Sequence, residues 1–352
     1  MYAYASAGVM PEHVHVVTDE ATGLECVIAL HSTALGPAAG GCRLWSYDGR
    51  EAMVADACRL AQGMSYKNAL ADLPFGGGKA VIRRPAGDLS RPALFAAFGR
   101  AVATLGGSYV TAEDVGTSVE DMRVVAGETR HVAGLPARAG QVGGDPSPFT
   151  ARGVFLSMQL AVRRRLERDL SECTVAIQGV GHVGASLARM LHDAGARLIV
   201  ADVDAAAAAR VSVALGAEVA SVQAIAAARA DVFAPCALGG VLHPGTIGRM
   251  TAKLVCGAAN NQLRDPADAA LLADRGILYA PDIVVNAGGI INVAAEYLGW
   301  SADEVAARVA ATPDRLARVL DRAERDGTTT HAAAEALACA RIDRGTGRRA
   351  AA

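Results

Sequence analysis

Residues 173–184 read CTVAIQGVGHVG, and this stretch decides the fold. Thr174–Gln178 is a short apolar run of the kind that forms a buried strand. Gly179, Gly181 and Gly184 follow in GxGxxG spacing, and the sequence beyond them continues as a helix, 183–194. Alone, that spacing is a common glycine turn. Here it sits between a strand and a helix, and eighteen residues past Gly184 the strand 198–201 ends in Asp202. The full strand–turn–helix–strand–acid context is specific to dinucleotide binding. Gly179 permits the tight turn, Gly181 admits the backbone to a pyrophosphate, and Gly184 lets helix and strand pack closely. The helix N-terminus offers free N–H groups to phosphate. Asp202 is placed to accept from ribose hydroxyls, and with Asp204 it would repel a 2′-phosphate, which points to NAD over NADP.

Working outward, a helix is expected near 151–165, and further short apolar strands recur at RLIVAD, DVFAP, KLVCGA and ILYAP, separated by helical stretches. Such alternation implies a parallel, doubly wound sheet. The first half is organised differently. Strands are expected at 13–19 and 24–31 around a Thr-Gly turn, and a glycine-rich loop at 36–43. A helix is expected over 50–63, then a loop, LPFGGGKAVI, entering a strand at 80–82. A helix over 91–105 stops at Gly106-Gly107, a short strand and loop occupy 109–117, and residues 134–149, rich in Gly and Pro, close the half. From about 301 the chain is Ala-rich and helical. The fold class is α/β, in two domains.

Composition bounds the possible functions. A chain of 352 residues suits two domains, and 52% apolar with 20% charged residues describes a globular protein. A formal charge of −2 gives no electrostatic case for nucleic acid or a membrane surface. The seven cysteines form no CxxC pair, so buried free thiols in a reducing cytoplasm are expected, and no metal site. The opening MYAYASAGVM lacks the features of a signal peptide, no apolar run reaches membrane-spanning length, and Arg341, Arg344, Arg348 and Arg349 read as a frayed basic tail. Only three of the 34 basic residues are Lys: Lys67, Lys79 and Lys253. Arg can replace Lys as a surface charge but not where a proton must be released. Lys253, before an apolar strand, reads as a surface residue. Lys67 and Lys79 flank the glycine run 76–78, where close backbone approach to a ligand is expected.

GGGK at 76–79 is not a phosphate-binding P-loop, because its spacing fails and Ala80 stands in the Ser/Thr slot. Lys67 can anchor a carboxylate as a point charge. Lys79, desolvated beside Lys67, is suited to general acid–base work, since a neighbouring cation favours the neutral amine. Asp114 can balance these cations and hydrogen-bond an amino group.

Taken in order, GPAAGG (36–41), MSYKNA (64–69), GGGKAVI (76–82), TAEDVGT (111–117), PSPFTARGV (146–154), APCALGG (234–240), CGAANNQ (256–262), ILYAPD (277–282) and NAGGIIN (286–292) resemble the Glu/Leu/Phe/Val dehydrogenase superfamily. The likeness is nearest its leucine, valine and phenylalanine branch and spans about residues 20–300. It implies a substrate-binding and catalytic domain at 1–140, an NAD-binding Rossmann domain at 141–325, and a C-terminal helical segment, 326–352, returning toward the first domain. It implies that Lys67 binds the substrate carboxylate, helped by the backbone N–H groups of Gly40 and Gly41. Lys79 would activate water, and Asp114 would stabilise the cationic imine and the ammonium. Asn260 would lie near the substrate amino group and the nicotinamide, and Thr150 near the carboxamide. The implied reaction is reversible NAD-dependent oxidative deamination of an L-amino acid to its 2-oxo acid and ammonia, by a homo-oligomer. At the side-chain pocket, Ala112 and the β-branched Ile290 favour Val, Leu and Ile over Phe, whereas Ala39 leaves the pocket wider on one side. The rivals are a phenylalanine dehydrogenase, a 2-hydroxy-acid dehydrogenase, for which none of the eight histidines has the setting of a catalytic base, and an NAD-binding sensor, which would leave Lys67, Lys79 and Asp114 idle.

Overall fold

The computed structural model describes residues 10–85, 87, 90–136 and 143–350, and side chains as far as Gly347. The reading of the first nine residues, the boundary placed at 140 and the side chains of Arg348 and Arg349 lie outside this set. The chain divides into two units. One holds the residues up to Gly144, Val293–Ala302 and the chain from Ala338; the other holds Asp145–Asn292 and Asp303–Leu337. The return of Val293–Ala302 to the first unit has no signal in the sequence.

The first unit opens with β1 (His13–Asp19), β2 (Leu24–Ser32), β3 (Ala38–Ala39) and β4 (Cys42–Trp45). It continues through α1 (Arg50–Leu70), β5 (Gly76–Arg83), α2 (Arg91–Thr104), β6 (Tyr109–Val110) and α3 (Val119–Glu128). Its mixed sheet runs β1-β2-β5-β3-β6, with β4 also pairing β5. β1, β2 and β5 are antiparallel neighbours, and β3 and β4 run parallel to β5. Side chains alternate across each strand, so the two faces carry different cores. Ile28, Leu30, Ala80 and Ile82 pack toward Phe95, Phe98, Met122 and Val125 of α2 and α3. Val27, Ala29 and Val81 pack toward Met53, Ala57, Leu60 and Ala61 of α1.

Three elements differ from the sequence reading. The glycine run is strand rather than loop, because β5 begins at Gly76. Protein packing itself demands glycine here: a β-carbon at Gly77 would collide with Ser65 of α1, and one at Gly78 would stand 2.8 Å from the Tyr109 ring. The basic tail is not frayed but helical, and Arg341 pairs with Asp72. The helix α3 was missed although Ser118 and Asp121 close a capping box at its start.

The second unit holds α4 (Ser147–Leu166), β7 (Thr174–Gln178), α5 (His182–Asp193), β8 (Arg197–Ala201), α6 (Ala205–Leu215) and β9 (Glu218–Val219). β10 (Val232–Pro235), α7 (Pro244–Ile247), β11 (Leu254–Val255), α8 (Asp268–Asp274), β12 (Leu278–Tyr279) and α9 (Asp282–Val285) follow. The helices α10 (Gly288–Leu298), α11 (Ala302–Ala310), α12 (Thr312–Asp326) and α13 (Thr330–Ala350) complete the chain. The sheet order is β12-β11-β10-β7-β8-β9, every pair parallel, which is the doubly wound Rossmann arrangement. Its strands are short, and Val175, Ile177, Val232 and Phe233 are fully buried, as a sheet covered on both faces requires.

Candidate active site

Lys79 is the buried cation of the first unit, only 5% exposed. It occupies β5 opposite Ala29 of β2. Strand alternation sets it beside Val81, on the face covered by α1, the helix that carries Lys67. Lys67 is half-buried three residues before the end of that helix. The Lys79 Nζ lies 2.8 Å from Asp114 Oδ2. The same oxygen accepts from Arg43 Nε at 3.1 Å. Burial pushes the Asp114 carboxyl up, but the Lys79 ammonium and the Arg43 guanidinium outweigh it and hold the group below its ordinary value.

The loop that carries Asp114 is tied to the sheet by Thr117. Its hydroxyl accepts from Asp114 N at 2.8 Å and lies 3.0 Å from the Cys42 carbonyl oxygen. Gly41 lies against this loop, since a β-carbon there would stand 2.9 Å from Asp114 Cβ. Gly40 does not have the free amide expected of it. Its N–H donates to Val110 O at 3.1 Å, extending the β3–β6 pairing by one residue, and so is committed to the sheet. Of the two amides expected to meet a carboxylate, that of Gly41 has no backbone acceptor among the described residues. Ala39 and Ala112 are both buried in this unit, and Asn68 clamps its glycine segments by donating to Ala39 O and, at 2.6 Å, to Gly76 O.

In the second unit the glycine turn has the geometry a dinucleotide needs. Gly179 has φ 95°, in the left-handed region that favours glycine. A β-carbon at Gly184 would collide with the Gly179 carbonyl oxygen, whereas one at Gly181 would meet nothing within 4 Å. Gly181 therefore faces open space, the kind of cradle into which a phosphate backbone fits. No side chain caps the start of α5, and its first N–H groups remain available to an anion. Asp202 is held by two backbone amides, Val180 N at 2.7 Å and Asp204 N at 2.9 Å. A groove of about 590 Å³ adjoins it, lined by Val180, Gly181, His182, Asp202, Asp204 and Arg210 among others. Elsewhere in this unit, Asn260 Oδ1 accepts from Asn286 Nδ2 at 2.8 Å. Thr150 adjoins Gly289, whose β-carbon would stand 2.8 Å from the Thr150 hydroxyl. Ile290 follows on α10, half-buried.

Comparison with known proteins identifies the family. Residues 11–131 match the model of the Glu/Leu/Phe/Val dehydrogenase dimerisation domain, and residues 145–208 and 205–349 match that of Glutamate/Leucine/Phenylalanine/Valine dehydrogenase. The chain belongs to this dehydrogenase family. It is 44% identical to a leucine dehydrogenase of Thermoactinomyces intermedius, covering 94% of this chain and 91% of the relative. It is 47% identical to a valine dehydrogenase of Streptomyces coelicolor, covering 93% and 91%. Among solved structures, an L-tryptophan dehydrogenase from Nostoc punctiforme superposes with a TM-score of 0.84 at 39% identity, covering 96% of this chain and 97% of that one. The protein is thus an amino-acid dehydrogenase of a pyridine-nucleotide-dependent family. Among its described residues no helix is long and apolar enough to cross a membrane, and no His, Cys, Asp and Glu group could hold a metal ion.

Three residues of this dehydrogenase escaped the sequence reading. Arg43 closes the glycine loop but was read only as part of it. Asn286 opens the NAGG motif and binds Asn260. Asp282 accepts from Asn261 N at 2.7 Å and from the Tyr279 hydroxyl at 2.6 Å, so it fixes the loop on which Asn260 stands, where Asn261 has φ 52°. Only Asn286 carried a local signal, a polar residue opening a glycine pair.

Proposed function

We propose that the protein catalyses the reversible, NAD-dependent oxidative deamination of branched-chain aliphatic L-amino acids. The observation that carries this reading is the buried Lys79–Asp114 pair at 2.8 Å, a proton-transfer group and a carboxylate set among tightly packed glycine backbone. Lys67 anchors the substrate carboxylate together with the Gly41 amide. Asp114 faces the substrate amino group, which loses one ammonium proton to solvent and reacts as the neutral amine, and, after oxidation, faces the iminium. Bound NAD would supply the hydride acceptor for the substrate Cα; Gly179, Gly181, Gly184 and the start of α5 would hold its pyrophosphate, and Asp202 its adenosine ribose. Thr150 and Asn260 bind at the nicotinamide end. Lys79, as the free amine, takes a proton from water while the water oxygen bonds to the iminium carbon. It returns that proton to the nitrogen, ammonia leaves, and the hydroxyl proton passes to Lys79 as the carbonyl forms.

The leucine and valine dehydrogenase relatives support an aliphatic substrate, as do Ala112 and Ile290. A second reading, a bulkier aromatic substrate, is favoured by the small Ala39 and by the tryptophan dehydrogenase neighbour. The test is NADH formation across a panel of L-amino acids with NAD and with NADP. Val, Leu and Ile are expected to give the highest kcat/KM, with NAD far ahead of NADP. A methylene changes such discrimination by about 1–3 kcal/mol, so the aliphatic substrates will overlap. Higher kcat/KM for Phe or Trp would overturn the aliphatic reading, and equal use of NADP would overturn the role of Asp202. We further propose that the protein works as a cytoplasmic homo-oligomer, in keeping with the dimerisation domain it matches.

A further inference from the structure

We propose that Arg43 is a positioning residue for this chemistry, holding the Asp114 carboxylate through the same oxygen that meets Lys79 while Asp56 holds the guanidinium from behind. The inference rests on the roles given above to Lys79 and Asp114. β4 and β5 run side by side with Arg43 opposite Val81, so the guanidinium emerges beside the Lys79 side chain. Arg43 Nε binds Asp114 Oδ2 at 3.1 Å, and Arg43 Nη1 binds Asp56 Oδ2 at 3.2 Å. Asp56 is itself fixed by the Tyr47 hydroxyl at 2.8 Å and by Arg59 Nη2 at 2.7 Å. A train of four charged groups therefore runs from Lys79 through Asp114 and Arg43 to Asp56.

The need for it follows from the proton traffic. Lys79 must pass through its neutral form to act on water, and in that form it no longer balances Asp114. The Asp114 side chain is only 20% exposed, and a buried carboxylate without a cation takes up a proton. Arg43 cannot release its proton at any assay pH. It keeps Asp114 ionised and in place through the step at which Lys79 is uncharged. The other titratable groups facing Asp114 cannot substitute. The Cys42 thiol is driven up by burial and stays neutral, the Tyr47 hydroxyl is likewise driven up by burial, and Asp56 is an anion.

The test is the pH dependence of kcat for R43Q, R43K, D56N and D114N, with NADH binding and circular dichroism as controls for folding. An opposite charge within about 4–6 Å lowers a carboxyl by about 1–3 pH units. Losing it in R43Q should lower kcat and move the acid limb of the profile upward by that amount. R43K keeps a charge and should bring the limb back toward wild type, and D56N, which frees Arg43 from behind, should lower kcat by less than R43Q. A folded R43Q with the wild-type limb overturns the proposal, as does an equal displacement in R43K and R43Q. If R43Q does not fold, D56N decides, and an unchanged kcat overturns it. D114N separates the two failures. Wild-type kcat in D114N removes the role of Asp114 and that of Arg43 with it, whereas loss of kcat in D114N with an unmoved limb in R43Q removes only the role of Arg43.

Discussion

The dinucleotide turn of the second unit lies in one run of chain from Thr174 to Asp202, whereas the charged cluster of the first unit gathers Arg43, Asp56, Lys79 and Asp114 from β4, α1, β5 and the loop after β6. The turn works through its backbone: two glycines placed by steric necessity, unpaired amides at a helix start, and one acid fixed by two amides. The cluster works through side chains whose charges balance one another inside a nearly dry sheet face. Backbone sites are specified by which residues are small, and side-chain sites by which residues meet. The first kind can be altered by adding a single carbon. The second is altered by changing a charge while leaving the shape alone.

The largest effect should come from the cluster. Lys79→Arg preserves the positive charge against Asp114 but cannot exchange a proton near neutral pH, so kcat should fall about 10²–10⁴-fold with NADH affinity near wild type. Stopped-flow turnover alongside NADH titration checks this. Near-normal kcat would reduce Lys79 to an electrostatic fixture. Lys79→Ala should lose at least as much.

The turn should show the converse pattern. Gly184→Ala forces a β-carbon onto the Gly179 carbonyl, an overpacking that typically costs about 1–3 kcal/mol. NADH binding should weaken sharply, and the melting temperature should fall. Unaltered NADH affinity would show that helix and strand can part without cost, and the contrast with the cluster would then fail.

Much of this is legible in the sequence. Nearly every strand of the parallel sheet could be read, because buried strands are apolar and the turns between them carry Gly. Lys79 was legible because the chain uses so little lysine. What escaped was long-range pairing. Nothing in the sequence links Arg43 to Asp114, which lies 71 positions away. The glycine run 76–78 was misread as a loop because glycine usually weakens a strand. In β5 its small size is required by the closeness of α1 and Tyr109. The same tertiary demand commits the Gly40 amide to Val110, and strand pairing at that distance leaves no mark on local sequence.

The smallest expected effect concerns the element missed altogether. Ser118→Ala removes one side of the capping box of α3 and should cost about 0.5–2 kcal/mol, read as a lower midpoint in denaturant. Arg91 and Asp121, 2.6 Å apart in the unsubstituted chain, should stay paired, so turnover should hold. A drop in turnover matching the drop in stability would show that α3 shapes the Asp114 loop after all.

The interleaving of the two units has a consequence for how the protein is made. The first unit takes its last segment from Ala338 onward, where α13 sets Arg341 against Asp72 and Gly345 against Ala34. A ribosome that has finished Gly144 must add nearly 200 more residues before that segment exists, a wait of about 10–40 s at ordinary synthesis rates of roughly 5–20 residues per second. Throughout that interval every strand of the sheet bearing Lys79 is already translated, but the unit around it still lacks its α13 segment. The second unit gathers Asp145–Asn292 in a single pass and adds Asp303–Leu337 immediately before that segment. Each unit thus draws a segment from Asp303 onward, and the half that carries the acid–base chemistry receives its last segment after the other.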